Sequence, residues 1–162
     1  MSAFVIAIDG PAASGKSSTA AAVAKELGAV HLDSGALYRG LTAVALTMNP
    51  RSAEAILRSA EARDLELREI GEDVVPFLDG LAAEPLIRGA EVNALVSDVS
   101  AMPLLREWVN ARLRAAARSG RLFVLDGRDI GTAVFPNAPV KIFLTATPEA
   151  RARRRLIQRG EG

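Results

Sequence analysis

The sequence predicts an α/β protein built on a parallel sheet flanked by helices, with a small inserted subdomain. Short apolar segments alternate with longer segments of helical periodicity along most of the 162 residues. Several of the short segments are apolar without alternation, which is typical of parallel strands that are buried on both faces. Residues 64–92 depart from this alternation, and we therefore assign them to the insert. One domain, with or without a small insert, fits this length.

Six segments have the character of strands. Residues 4–8, 122–125 and 140–144 are short apolar runs and are predicted to be buried in the sheet. Residues 65–70 instead alternate strictly between apolar and polar side chains, which indicates a half-buried strand. We expect this strand to form an antiparallel hairpin with residues 74–78. The predicted strands are residues 4–8, 30–32, 65–70, 74–78, 122–125 and 140–144.

Six helices are predicted from periodicity and from their start and stop signals. Gly28 and the pair Asn49-Pro50 end the first two helices. Pro103 begins a long amphipathic helix that ends near Ser119. Thr147, which is followed by a proline and a glutamate, caps the last helix. The predicted helices are residues 17–27, 36–48, 52–63, 91–99, 103–119 and 147–159.

The composition excludes several classes of function. Charged residues make up 24% of the chain and nearly cancel to +1, so no bulk field attracts nucleic acid or an anionic membrane. The absence of cysteine excludes disulfides, thiolate metal sites and a thiol nucleophile. The apolar residues 4–8 are too short for a signal peptide, and no segment reaches transmembrane length. We expect a soluble cytoplasmic protein that binds neither nucleic acid nor membrane.

Several conspicuous residues are not assigned a ligand. The single histidine, His31, is interpreted as a packed or capped surface residue rather than a catalytic base. Trp108 and Phe123 have the spacing of core residues. The run 153–155 consists of three arginines and suggests RNA binding, but the chain has no basic excess and no interleaved aromatic residues to support it.

Residues 10–17 match the phosphate-binding pattern G-x-x-x-x-G-K-[ST] in full. Glycines let such a loop curl so that its N–H groups point at phosphate oxygens, and the following helix adds the positive end of its dipole. Lys16 is expected to reach the β- and γ-phosphates, and the Ser17 hydroxyl is expected to bind Mg²⁺. The alternative is a glycine-rich turn without a ligand, but the position between a strand and a helix favours a P-loop NTPase-type sheet. The predicted ATP-binding residues are Gly10, Pro11, Ala12, Ala13, Ser14, Gly15, Lys16, Ser17 and Ser18.

Two further polar segments follow predicted strands, where the loops of an open α/β sheet border the ligand crevice. In residues 33–39, Arg39 can meet an acceptor phosphate; the alternative is a capped helix start with a solvent-facing arginine. In residues 126–129, Asp126 can act on a metal through water or hold an arginine in place. Arg128 can neutralise charge that builds during phosphoryl transfer. The alternative for this segment is a tight turn with a local ion pair.

These motifs together resemble the bacterial cytidylate kinase family. The resemblance rests on the P-loop, on DSGALYR at residues 33–39, on VSDVSAMP at 96–103, and on DGRDIGT through FPNAPVKIFL at 126–144. It runs along essentially the whole chain, and the runs near 77–80 and 87–88 resemble the nucleoside-monophosphate-binding insert of the family. The resemblance implies transfer of the γ-phosphate of ATP to CMP or dCMP with Mg²⁺, giving ADP and CDP or dCDP. We expect a monomer whose partners are these small molecules.

The resemblance also implies roles for individual residues. Catalysis is expected from Lys16, Arg128 and Asp126, with Ser17 on the metal. Arg39 and Arg128 are expected to grip the acceptor phosphate. The residues expected to face the cytosine edge are Ser34, Ser97, Arg106 and Asp129.

The chain departs from the family pattern at its end. Family members continue past the arginine-rich helix into a lid, a last strand and a closing helix, whereas this sequence stops at Gly162. We therefore expect the chain to bind nucleotides, to transfer phosphate poorly or not at all, and to leave one apolar sheet edge unpaired. Two alternatives stay open: a lidless nucleotide-binding module without catalysis, and a P-loop kinase for another small acceptor. Convergence of Ser34, Arg106 and Asp129 would favour a cytosine acceptor.

Overall fold

A computed structural model describes residues 3–49, 51–117 and 120–160. Its elements, in chain order, are β1 (Phe4–Asp9), α1 (Lys16–Leu27), β2 (Val30–Asp33), α2 (Ser34–Ala45), α3 (Ala53–Ala62), β3 (Glu66–Ile70), β4 (Asp73–Leu78), β5 (Leu81–Ala82), α4 (Glu84–Ile87), α5 (Ala90–Ser100), α6 (Pro103–Ala116), β6 (Leu122–Gly127), a π-helical turn (Ile130–Val134), β7 (Val140–Phe143) and α7 (Pro148–Arg159). Pro50 and Ser119, which the predicted helix ends involve, lie outside the described residues.

The strands form one sheet in the order β3-β4-β2-β6-β1-β7, and β5 pairs with β4. Every neighbouring pair from β4 to β7 is parallel, whereas β3 and β5 run antiparallel to β4. Apolar clusters lie on both faces of the sheet; one contains residues of α2, α3 and α6, and the other contains residues of α1. The predicted α/β class with helices around a mainly parallel sheet is therefore confirmed.

The predicted hairpin of residues 65–70 and 74–78 is confirmed as β3 and β4. It is joined to the main sheet, because β4 pairs in parallel with β2 through His31↔Asp73 and Leu32↔Val74. The short elements β5 and α4 were not predicted, since two and four residues are too few to show a period. The role of residues 64–92 as a nucleoside-monophosphate-binding subdomain stays a prediction.

Helix α2 differs from its prediction at both ends. It begins at Ser34 because the Asp33 side chain accepts a hydrogen bond from the Gly35 N–H and so caps the helix earlier. It ends at Ala45 rather than at residue 48. The Arg51 side chain donates a hydrogen bond to the Ala45 carbonyl at this end. The Ala45 carbonyl, at the end of this helix, is thus bonded by a side chain.

The prediction that residues 140–144 form a buried strand is wrong in its burial. β7 is exposed along its length, and Phe143 retains 71% of its accessible surface. The reason is its position, because β7 pairs with β1 on one side and with no other strand in the described part of the chain. The apolar edge expected from the sequence is therefore present. Trp108 and Phe123 do lie in the core, as their spacing predicted.

Among the described residues, no helix combines the length and apolar character needed to cross a bilayer.

Candidate active site

Three polar segments meet at the carboxyl ends of three adjacent strands. The P-loop follows β1, residues 33–39 begin at the end of β2, and residues 126–129 begin at the end of β6. The strand register places Asp9 beside Gly127 and Asp33 beside Asp126. Ligands of open α/β sheets bind at the carboxyl ends of the strands. The sheet thus brings the predicted donor and acceptor segments together.

The two glycines of the P-loop serve different geometric needs. Gly15 has φ of +89°, a left-handed conformation that a side chain would strain. A Cβ at Gly10 would overlap the backbone carbonyl oxygen of Leu144, which approaches from the end of β7. The Ser14 hydroxyl is buried and has no hydrogen-bond partner among the described residues. An unpaired polar atom inside a curled loop at a helix N-terminus fits a bound phosphate.

Lys16 lies over its own loop, where Nζ donates to the Pro11 carbonyl at 3.3 Å. Burial lowers the pKa of Lys16, and the nearby charge of Arg128 lowers it further, while Asp126, Asp33 and Asp9 oppose the shift. Arg128 lies close enough for its charge to disfavour the charged form of Lys16, and two cations placed in this way form a site for an anion. Lys16 and Arg128 are therefore neighbours, as the predicted transfer site requires.

Asp126 is fully buried and binds with both carboxylate oxygens. Oδ2 accepts a hydrogen bond from the Ser17 hydroxyl at 2.6 Å, and Oδ1 lies 2.6 Å from His31 Nε2. No group of three or more His, Cys, Asp or Glu residues forms a metal cage in the ranges that the structure describes. Mg²⁺ bound with phosphates needs only one or two protein oxygens, so the adjacent Ser17 hydroxyl and Asp126 carboxylate fit it.

His31 is a residue that sequence reasoning missed. It lies on β2 with only 15% of its side chain exposed, and Asp126 is its hydrogen-bond partner. Burial alone would lower the pKa of His31, but the hydrogen bond and charge of Asp126, aided by Asp33 and Asp73, outweigh burial and raise it. The only available signal was that His31 and Asp33 share a face of their strand.

The acceptor-phosphate side contains a pair of arginines. Arg39 donates to the Asn93 side chain at 2.5 Å and to the Ile87 carbonyl at 3.4 Å. Burial lowers the pKa of Arg39, and the charge of Arg88 lowers it further. Arg88 was noted in the sequence only as part of the resemblance, yet it lies close enough to act on Arg39. Arg39 does not point freely into solvent, which was the alternative.

The predicted cytosine-edge residues converge in part. Arg106 Nη2 donates to Asp129 Oδ2 at 2.5 Å. Ser34 is buried, and its hydroxyl lies against Gly127, where a Cβ could not be accommodated. Tyr38 lies near both Arg106 and Asp129, and its hydroxyl has no hydrogen-bond partner in the described part of the chain. Ser97 is exposed on α5, and its side chain forms no hydrogen bond with the others among the described residues.

A cleft of about 610 Å³ opens beside the P-loop. Its walls come from the loop, from the first turn of α1, from the end of β7 and from α7. Two arginines of α7 form hydrogen bonds with the loop. Arg151 donates to the Ala12 carbonyl at 3.0 Å, and Arg154 donates to the Ala13 carbonyl at 3.1 Å. The cleft is therefore continuous with the phosphate-binding loop.

Asp9 connects the P-loop strand with the acceptor segment. Its carboxylate accepts hydrogen bonds from the backbone N–H groups of Ile130 and Gly131, both at 2.8 Å. These bonds hold the π-helical turn that follows Asp129. Asp9 thus links the strand that leads into the P-loop with the segment that carries Asp129.

We expect Asp9→Asn to lower the free energy of unfolding by about 1–3 kcal/mol, because the amide leaves one buried N–H without an acceptor. Urea denaturation of the purified chain measures this loss. Asp98→Asn, an identical change at an exposed position of α5, is the matched control and should leave the midpoint unchanged. Equal midpoints for both variants would show that the Asp9 contacts do not hold the turn.

The sequence model of a family described as cytidylate kinase matches residues 6–162. The curated cytidylate kinases of Geobacillus thermodenitrificans and Mycolicibacterium paratuberculosis are 47% and 45% identical to this chain over 93% of its length. That of Mycobacterium leprae is 45% identical over 96% of it. The chain spans 67–69% of the length of these three relatives.

Among solved structures, the crystal structure of TT1252 from Thermus thermophilus covers 99% of this chain, and 74% of that chain is matched. The TM-score is 0.43 and the sequence identity is 20%.

Proposed function

The chain belongs to the cytidylate kinase family, whose members are ATP-dependent nucleoside monophosphate kinases, and we propose on this basis that it transfers the γ-phosphate of ATP to CMP or dCMP. The products are ADP and CDP or dCDP. The proposal rests on one observation: the P-loop and the Arg106–Asp129 pair lie together at the carboxyl ends of the strands. The first binds a triphosphate, and the second offers the donor and acceptor groups that a cytosine needs.

On the donor side, the P-loop amides, Lys16 and Ser14 bind the phosphates of ATP, and the adjoining cleft takes its nucleoside. Ser17 and Asp126 hold Mg²⁺, which when bound neutralises phosphate charge. Arg128 lies beside Lys16 and faces the charge that spreads over the transferring group. These residues orient the reactants and stabilise charge, so no covalent intermediate is required.

On the acceptor side, Arg39 and Arg128 bind the phosphate of the monophosphate, and Arg88 adds a third cation near Arg39. Asp129 accepts from the exocyclic amine of cytosine, and Arg106 donates to the ring nitrogen and carbonyl. Ser34 and Ser97 complete the edge of the base. Uracil has a carbonyl in place of the exocyclic amine and an N–H in place of the bare ring nitrogen, so it mismatches both contacts and is rejected.

The test is a pair of measurements on the purified 162-residue chain. Calorimetry with CMP, dCMP, UMP, AMP and shikimate reports which acceptor binds, and coupled ADP release reports which one is phosphorylated. We expect binding of CMP and dCMP over the other three. We also expect slow ADP release, because no element among the described residues closes over the cleft to exclude water.

The outcomes separate the alternatives. Preference for UMP, AMP or shikimate would replace CMP by another acceptor. Binding of ATP and CMP with no ADP release at all would favour the nucleotide-binding module. Failure to bind any of these acceptors would contradict the proposed function.

A further inference from the structure

We propose that His31 is a positioning residue that fixes the Asp126 carboxylate for the magnesium-bound triphosphate, without touching nucleotide or metal itself. The inference rests on the proposed function, since it concerns the same phosphate site. It adds a residue that lies on a neighbouring strand, behind the groups that face the ligand.

The geometry forms a continuous chain of hydrogen bonds. Ser17 Oγ donates to Asp126 Oδ2 at 2.6 Å, and His31 Nε2 lies 2.6 Å from the other oxygen of the same carboxylate. Because a carboxylate accepts and does not donate, Nε2 carries the proton of this second bond. One oxygen is thus bound by the residue expected on the metal, and the other is bound by His31.

Burial makes the second bond necessary. Asp126 has no exposed surface, so water does not reach Oδ1 to replace a lost partner. A buried carboxylate oxygen without a donor is costly, and the side chain would rotate to recover one. Rotation would withdraw Oδ2 from Ser17. His31 therefore holds the plane of the carboxylate through one oxygen and so sets the position of the other.

The far side of the imidazole supports this role. His31 Nδ1 is 3.7 Å from Asp73 Oδ1, beyond hydrogen-bond distance, and Asp73 is 64% exposed. A cleft of about 230 Å³, lined also by Lys25 and Glu72, opens on that side. The strong contact of His31 thus points inward to Asp126, and its outward side faces solvent. Residues behind a metal site that orient its ligands commonly change affinity by about 10–100-fold when they are replaced.

Two amide substitutions make a matched pair. Glutamine at residue 31 places its amide nitrogen near the position of Nε2, whereas asparagine ends one bond short of it. Both are polar and similar in size, so a purely structural role would affect them alike. We expect His31→Asn to weaken the apparent affinity for Mg²⁺ in the presence of ATP by about tenfold. We expect His31→Gln to keep this affinity within about threefold of the wild type.

The readout is calorimetric titration of Mg²⁺ into each protein held at fixed ATP, with ATP binding in EDTA and CMP binding as internal controls. Neither control should change in either variant. The proposal would be overturned if the asparagine variant and the wild type had equal apparent affinity for Mg²⁺. It would also be overturned if both variants lost this affinity to the same extent. A wild type that binds no ATP would instead contradict the proposed function.

A second measurement needs no variant that might be unstable. His31 is the single histidine of the chain, so the ¹⁵N resonances of its ring are assigned without ambiguity. We expect a proton on Nε2 in the nucleotide-free wild type, shifted by its bond to a carboxylate, whether or not Nδ1 is also protonated. An Nδ1–H form with a bare Nε2 would overturn the proposal.

Discussion

Replacing Lys16 by alanine is expected to lower the affinity for ATP·Mg²⁺ by about 10²-fold or more, because a charge-assisted hydrogen bond contributes about 1.5–3 kcal/mol and the proposed site has the ammonium bind two phosphates. Lys16 is half-buried beside Arg128, so an anion between the two cations relieves their repulsion. The alanine variant loses that gain. Equilibrium dialysis with labelled ATP measures the change directly.

The matched control for this variant is Lys25→Ala. Lys25 lies in the last turn of the same helix and is exposed, so the substitution removes the same charge far from the loop. Its affinity for ATP should equal that of the wild type. If Lys16→Ala binds ATP as tightly as Lys25→Ala, then residues 10–17 do not hold the triphosphate in the way described.

Asp129→Asn is expected to reduce the preference for CMP over UMP by about 10²-fold. The native preference should reach about 10⁴, because a site built to bond a polar group rejects an analogue that leaves its groups unpaired. Arg106 fixes the orientation of Asp129 through a 2.5 Å bond. An asparagine amide can present either its oxygen or its nitrogen, so it accepts from cytosine or donates to uracil. Competition between CMP and UMP for the purified protein measures the ratio.

Glu107→Gln provides the comparison, since Glu107 is exposed and adjacent to Arg106 on α6. It removes one negative charge near the same arginine but leaves the Arg106–Asp129 bond intact. The CMP preference should be unchanged. A preference that survives in Asp129→Asn would place base selection elsewhere in the site.

Much of the fold followed from local patterns. Continuous apolar runs identified the central parallel strands, and strict alternation identified the β3–β4 hairpin. The P-loop was recognisable because its glycines and lysine must stand at fixed spacing between a strand and a helix. These features are local in sequence, so a window of a dozen residues contains the information that specifies them.

The missed features depend on long-range contacts. The exposure of β7 depends on which strands stand beside it, and an apolar run looks the same at an edge as in the centre. The π-helical turn at Ile130–Val134 is held by Asp9, which lies 121 residues from Ile130. The hydrogen bond of His31 is to Asp126, 95 residues away. No local periodicity reports such pairs.

The candidate site was predictable to the same degree. Motifs after strands indicated Lys16 and Asp126, the family resemblance indicated Asp129, and the sheet brings the segments that carry them together. Arg88 and Tyr38 were not singled out, because a lone arginine in an arginine-rich chain and a lone tyrosine give no pattern. Only their proximity to Arg39 and to the Arg106–Asp129 pair identifies them.

The most direct test is calorimetric titration of ATP·Mg²⁺ into the wild-type chain, after circular dichroism has shown that the sample is folded. Saturable binding of one ATP per chain, weakened when EDTA removes the metal, is the result that a triphosphate site at residues 10–17 predicts. A folded sample that takes up no ATP would contradict that site and the kinase function built on it.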